Sequence, residues 1–211
     1  SSGSVIVNQT SFTMFQFQQN LPAPQGDNNL FADYETLGVD ANAVYIGCNM
    51  FNSQEHSTVW VIRKSRLLNG RLQVAAFRNI GNSSIGGIYT PQGVSNDDPA
   101  SNEGYFAGTD YNVYGKLVIK RITFSPSGPA ISADLNITTP STAFPLDVPN
   151  KSGSSLAAID ARLLLATIHK DVNTGQSSMW TSHSIRVNSS GVGSNTGDRD
   201  GVRWYQLGNL T

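Results

Sequence analysis

The sequence predicts an all-β protein and, within that class, a β-propeller. Three observations carry the prediction. The first is composition: 38% of the 211 residues are hydrophobic and 14% charged, with 20 Gly and abundant Ser, Thr and Asn, a mix suited to short strands and turns rather than to helices. Asp, which favours turns and caps, far outnumbers Glu, which favours helix interiors and occurs only as Glu35, Glu55 and Glu103. The second is a pattern that recurs along the chain. The third is that the stretches between recurrences are rich in Pro, Gly, Asn and Ser and read as surface loops.

Each recurrence opens on a turn with Asp or Asn, followed by a short apolar run and a small residue. The first has Asp40 and Asn42 ahead of Val44, Tyr45, Ile46 and Gly47. The second has Asn102 and Gly104 ahead of Tyr105, Phe106, Ala107 and Gly108. The third has Asp160 ahead of Leu163, Leu164, Leu165 and Ala166. Runs of this kind read as strands buried on both faces. A second strand-like run follows each, from Ser57, Gly115 and Ser177, and a third from Arg71, Ala130 and Gly201. The first runs begin at Val44, Tyr105 and Leu163, 61 and 58 residues apart. Self-similarity at such a period, with no helical periodicity between, predicts propeller blades.

The expected inner strands are therefore the runs at Val44, Tyr105 and Leu163, lining a central channel. Irregular loops are expected over "QQNLPAPQGDNN", "TPQGVSNDDPASNEG" and "TTPSTAFPLDVPNKSGSS". The region 1–211 divides into blades at 33–92, 93–150 and 151–211, with 1–32 as a linker or the end of a preceding blade. One stretch, "SSLAAIDARLLLATIHK", also fits a helix, with Leu156, Ile159, Leu163 and Leu164 as its apolar stripe and Ser154 as its cap. Alignment with the repeat favours a strand instead, with Asp160, Ala161 and Arg162 as the turn before it.

Several of these segments resemble a family of secreted, mainly bacterial β-propeller proteins, many uncharacterised, with a sialidase-like propeller architecture. The resemblance lies in Asp33 to Gly38, Asn49 to Phe51, Ile159 to Leu163, Trp180 to His183 and Val202 to Gln206. Glu35 stands where proline is common in that family, and Gln206 where an acid is common. The resemblance implies a propeller and an extracellular or cell-surface setting, and no particular activity. Family members tend to be longer. Three blades do not close a ring, since propellers have about four to eight. Another polypeptide, or further copies of this one, is thus expected to complete it.

Composition also excludes some classes. A net charge of −1 without a basic run argues against nucleic acid and anionic membranes as partners. No apolar segment reaches the length of about 18 residues that membrane insertion requires. The start, "SSGSVIVNQT", does not read as a secretory signal. The single cysteine, Cys48, lies within an apolar run and reads as a small buried hydrophobe. His56, His169 and His183 are too scattered for a zinc site.

Calcium is the cofactor the sequence can accommodate. Asn195, Asp198 and Asp200 supply the short oxygen-bearing side chains that hard cations prefer, and Asn96, Asp97 and Asp98 offer a second cluster. The simpler reading of both is a turn in which Asp and Asn bond their own backbone.

The leading functional reading is a secreted or surface propeller used for binding or as a scaffold, with glycans among its candidate ligands. Its candidate binding residues are Asp33, Tyr45, Asn49, Asp110, Asp160, Arg162 and His183. Tyr45 and Asn49 are candidates to reach the channel; the plainer reading of His183 is a packed, hydrogen-bonded ring. The alternative is a carbohydrate-active hydrolase using Asp33, Asp40, Asp110 or Asp160 as an acid–base pair, roughly 5 to 10 Å apart in an open pocket. In that reading Arg162 and Arg203 would hold an acidic sugar. No sialidase Asp-box is present, and "DGVRW" at Asp200 is a near miss. Neither a nucleophile elbow nor a phosphate loop occurs. Trp60 and Trp180, at matching places in the repeat, are expected to pack between sheets. Six glycosylation sequons, at Asn8, Asn82, Asn136, Asn150, Asn188 and Asn209, matter only in a eukaryotic source.

Overall fold

A computed structural model describes residues 8, 11–52 and 55–210. The chain is all-β. Its strands are β1 (Phe31–Val39), β2 (Ala43–Phe51), β3 (His56–Arg63), β4 (Val74–Phe77), β5 (Gly81–Asn82), β6 (Gly86–Asn96), β7 (Gly104–Asp110), β8 (Lys116–Ser125), β9 (Gly128–Ile131), β10 (Leu135–Thr138), β11 (Ala166–Lys170), β12 (Ser177–Val187) and β13 (Arg199–Leu207). A single turn and a half of helix, α1 (Lys64–Leu68), interrupts them. Together they form one 13-stranded mixed sheet whose path runs from β1 to β13 without closing.

Within that sheet the pairing divides into three antiparallel meanders. The first is β1–β2–β3–β4. The second is β6–β7–β8, with β9 and β10 end to end along the far edge of β8. The third is β11–β12–β13. The leading strands of the meanders run side by side in one direction. β6 and β11 pair in parallel, Val94 opposite Ala166 and Asn96 opposite Ile168. β1 keeps the same sense against β6: the Thr36 hydroxyl donates to the Pro91 carbonyl at 2.6 Å, and the Val39 amide donates to the Ser95 hydroxyl at 3.4 Å. Two glycines permit that approach. A Cβ on Gly38 would overlap the backbone of Gly93, and one on Gly93 would overlap the Tyr45 carbonyl.

Because side chains alternate along a strand, each meander shows a different set to each neighbour. Phe106, Val118 and Ile122 of the second meander face Ala43, Tyr45, Val59 and Val61 of the first. Tyr105, Ala107, Leu117 and Ile119 face the other way, against Ala166, Ile168, Met179 and Tyr205 of the third. The outer face of the first meander, carrying Cys48, Met50, Trp60 and Ala76, is covered by Phe17 and Leu30. That covering segment is fastened by Asp27, which accepts from Arg78 Nη1 and the Thr58 hydroxyl and meets His56 Nε2 at 2.9 Å. Arg78 also donates to the carbonyls of Gln19, Pro22 and Pro24. Among the described residues nothing comparable covers the outer face of the third meander, where Trp180, Val202 and Trp204 are exposed.

Several expectations need correction. The runs at Val44 and Tyr105 are not leading strands: they become β2 and β7, each second in its meander. The first half of the expected loop 90–104 is β6, whose course Gly and Pro disguise; residues 97–103 are irregular, as expected. Pro91 sits where the register with β7 shifts, between Tyr89 and Gln92, so its missing N–H leaves no gap in the ladder. Residues 92 and 93, taken as a division between blades, both lie inside β6. The strand expected at Leu163 begins at Ala166, with the Thr181 hydroxyl donating to the Leu165 carbonyl at 2.6 Å. The run from Ser57 turns into α1 at Lys64, a helix without a buried residue that Asn69 and Gly70 (φ 71°) end. Trp60 is buried as expected, though under the segment of Phe17 and Leu30 rather than between sheets, and Trp180 is 37% exposed and stacks on Trp204 across the outer face.

Candidate binding cleft

A cleft of about 310 Å³ is framed by connections from all three meanders. The first meander and its link to the second supply Glu55 and Ser83; the second supplies Tyr89 and the β7–β8 turn from Asp110 to Lys116. The segment after β10 supplies Thr139, Thr142 and Phe144, and the third supplies Ile159, Asp160, Ala161, His183 and Tyr205. Tyr89 and Tyr111 meet edge to face at 4.8 Å and form an aromatic wall. Tyr114 and Phe144 are 54% and 48% exposed and form a lip.

Each acid at the base of the cleft caps a turn and is paired with a cation. Asp110 accepts from the amides of Asn112 and Val113 at 2.9 and 3.0 Å and from the Gly87 amide at 3.3 Å. Its other contact is Lys116 Nζ at 2.9 Å. Burial opposes its charge, but Lys116 and these amides prevail and hold the carboxyl below the usual carboxylate range. Asp160 accepts from Arg162 Nε at 2.7 Å and Nη2 at 2.6 Å, from the Arg162 amide at 2.9 Å and from the Tyr89 hydroxyl at 2.7 Å. Burial again opposes ionisation and is again outweighed, here by Arg162 and Tyr89, so Asp160 too is held low.

Arg162 joins the leading parts of the three meanders. Its guanidinium lies 4.3 Å from the centroid of Tyr34 in β1 and 5.6 Å from that of Tyr89 in β6. Beside it, three non-glycine residues adopt the left-handed region: Tyr34 (φ 58°), Thr90 (φ 47°) and Ile159 (φ 66°). Tyr34 and Thr90 fall where the registers of β1 and β6 shift. Such backbone is found where surrounding packing over-determines it, often at binding sites.

His183, fully buried on β12, lies below the cleft. Its Nδ1 is 2.6 Å from the Ala161 carbonyl and its Nε2 3.0 Å from the Tyr205 hydroxyl. Burial lowers its pKa, so the ring is neutral, with Nδ1–H donating to Ala161 and Nε2 accepting from Tyr205.

Of the residues singled out from sequence, Asp110, Asp160 and His183 line the cleft, and Arg162 braces it through Asp160. The remainder lie elsewhere. Tyr45 is buried, donating to Asp40 Oδ2 at 2.7 Å and meeting Phe106 edge to face. Asn49 is buried and donates to the Thr90 hydroxyl at 2.9 Å. Asp33 is an exposed residue of β1 whose carbonyl, not its carboxylate, faces Cys48. Asp198 pairs with Arg199 at 2.9 Å, Asp200 accepts from the Leu146 amide at 2.8 Å, and Asn195 is exposed in the loop between them and β12. Among the described residues no group of three or more His, Cys, Asp and Glu converges as a metal site. Nor, among those residues, is any helix long and apolar enough to cross a membrane.

Sequence reasoning offers the seven tyrosines only collectively, as stacking or contact surfaces, without singling out Tyr34, Tyr89, Tyr111 or Tyr114, and it misses Lys116 and Phe144. "DYNVYGK", from Asp110 to Lys116, held a usable signal: a turn acid, a cation and two tyrosines in seven residues. Comparison with protein-family models, curated proteins and solved structures returned no match.

Proposed function

We propose that the chain is a binding scaffold of the β-propeller type, with the three meanders as blades and the cleft between their connections as its site. The observation that carries this reading is the cleft itself: an aromatic wall and lip around two basal acids, Asp110 and Asp160, that are each committed to a cation. The parallel run of β1, β6 and β11, with the meanders packed face to face behind them, supports the assignment as blades. The resemblance noted in the sequence supports an extracellular or cell-surface setting.

Ring completion by another polypeptide or further copies belongs to the same proposal. Trp180, Val202 and Trp204, exposed on the outer face of β12 and β13, form the surface a following blade would cover. The mass of the native particle tests this part: a lone folded 22.6 kDa monomer contradicts it, and a heavier assembly supports it.

The hydrolase reading has one observation in its favour, that Asp110 and Asp160 line one cleft. It also needs a carboxyl that stays protonated near neutral pH to act as general acid. Both are instead held ionised by Lys116 and Arg162, which favours binding over hydrolysis. Ligand-observed NMR against a mixed glycan and metabolite library tests the binding reading. Hits that vanish in Tyr114→Ala and Phe144→Ala support it; a library without hits, or hits indifferent to both substitutions, contradicts it.

A further inference from the structure

We infer that the cleft takes a neutral, polyhydroxylated ring, such as a pyranose residue of an uncharged glycan, an inference that rests on the cleft being the binding site. Two of the three acids that line it are matched internally: Asp110 with Lys116 at 2.9 Å, Asp160 with Arg162 at 2.6 Å. Neither cation is left over for a carboxylate or sulfate on a ligand. Arg203, the other candidate for an acidic sugar, donates to the carbonyls of Pro140 and Ser141 at 2.9 and 2.6 Å. Glu55 at the rim has no ion-pair partner among the described residues, which further disfavours an anion. A cationic ligand would find Glu55 alone among these acids without an ion-pair partner in the described residues, with Asp110 and Asp160 already matched and Lys116 in the same lining.

What the cleft offers instead suits a sugar. Exposed rings at Tyr114 and Phe144 present flat apolar faces to the C–H face of a pyranose. Hydroxyl and amide groups of Ser83, Asn112, Thr139 and Thr142 stand around them to exchange hydrogen bonds with ring hydroxyls. The volume, about 310 Å³, lies at the small end for ligand pockets and suits one or two rings rather than a buried chain.

The test is calorimetric titration of the full chain with three sets of probes. The neutral set is cellotetraose, maltotetraose, mannotetraose and xylotetraose. Tetragalacturonate and sialyllactose are the acidic set; chitosan tetramer and tetramethylammonium are the cationic set. Each is repeated on Tyr114→Ala and, as a control away from the cleft, Leu68→Ala in α1, which is 82% exposed. The expected result is binding of at least one neutral probe, weakened roughly tenfold or more in Tyr114→Ala, as for loss of an aromatic anchor, and unchanged in Leu68→Ala. Binding of only acidic or cationic probes, lost in Tyr114→Ala, overturns the ligand class and leaves the cleft as the site. No binding in any set, or binding unaffected by Tyr114→Ala, overturns both. Circular dichroism of Tyr114→Ala guards against misfolding, and Phe144→Ala replaces it if the fold is lost.

Discussion

Replacing Arg162 by Met separates an architectural arginine from an incidental one. In the native chain the Asp160 carboxylate receives two guanidinium bonds, at 2.6 and 2.7 Å, in surroundings that leave the Arg162 and Asp160 side chains only 10% and 14% exposed. Arg162→Met leaves that charge with only the Tyr89 hydroxyl and the backbone amide of residue 162 as donors, and removing one partner of a buried pair costs about 3–5 kcal/mol. Loss of the guanidinium over Tyr34 adds about 0.5–2 kcal/mol. A destabilisation of about 4 kcal/mol is expected in guanidinium chloride at pH 7, with the melting temperature lowered by roughly 10 °C. The pH dependence identifies the cause. In the native chain Arg162 and Tyr89 hold the Asp160 carboxyl below its ordinary value of 3.8, so its contribution is complete above that pH and is lost as pH falls toward the folded value. In Arg162→Met burial prevails, the folded pKa rises above the unfolded one, and acidification relieves the variant. The difference between the two proteins should therefore shrink from pH 7 to pH 4. Asp160→Asn combined with Arg162→Met should recover more than half of the loss. A loss below about 1 kcal/mol, or one equal at both pH values, would refute the reasoning.

Three other outcomes follow from the same geometry. His183 has a folded pKa below 6.5, so its contribution is complete above about pH 6.5 and is lost as pH falls through the window beneath it, by up to about 1.4 kcal/mol per pH unit; chemical denaturation from pH 7.5 to 5 measures the slope, which His183→Gln should flatten. Cys48 is buried, and burial followed by the nearby Glu35 charge pushes its thiol up to about 12; it should resist a disulfide reagent at pH 8 until denaturant is added. Gly93→Ala forces a methyl into the Tyr45 carbonyl and Gly38; it should destabilise by about 3 kcal/mol or abolish soluble expression.

The parts of the fold legible in the sequence are those where burial writes a continuous apolar run. β2, β3, β7 and β8 read that way because neighbouring segments cover them on one or both faces; β12 reads as a strand by alternation instead, one face buried and the other open. β1 was harder to see as a strand because it alternates between exposed and half-buried residues and carries Asp, Glu and Gly. β6 was hidden because it lies between two other leading strands, and the Gly and Pro that allow that approach are also loop residues. The turn acids Asp110 and Asp160 were visible because a capping Asp has a local signature. Tyr34 and Phe144 carried none: Tyr34 meets Arg162, and Phe144 the cleft, only through the stacking of segments far apart in the chain, a long-range outcome that no local pattern records. The matched positions of Trp60 and Trp180 misled for the same reason, since Phe17 covers Trp60 and no described residue plays that part for Trp180.

Ile159 stands at the mouth of the cleft, β-branched, 56% exposed and at φ 66°. Nothing about folding alone recommends it there: Gly or Asn would hold that backbone with less strain, about 1 kcal/mol in the protein's favour. Mutation toward those residues is easy and, by stability alone, rewarded. A lineage retaining isoleucine at this turn would be forgoing robustness, and the natural inference is a trade against recognition at the cleft, where a rigid apolar edge is worth more than a relaxed turn. Adaptation to heat and adaptation to a ligand would then pull this one position in opposite directions.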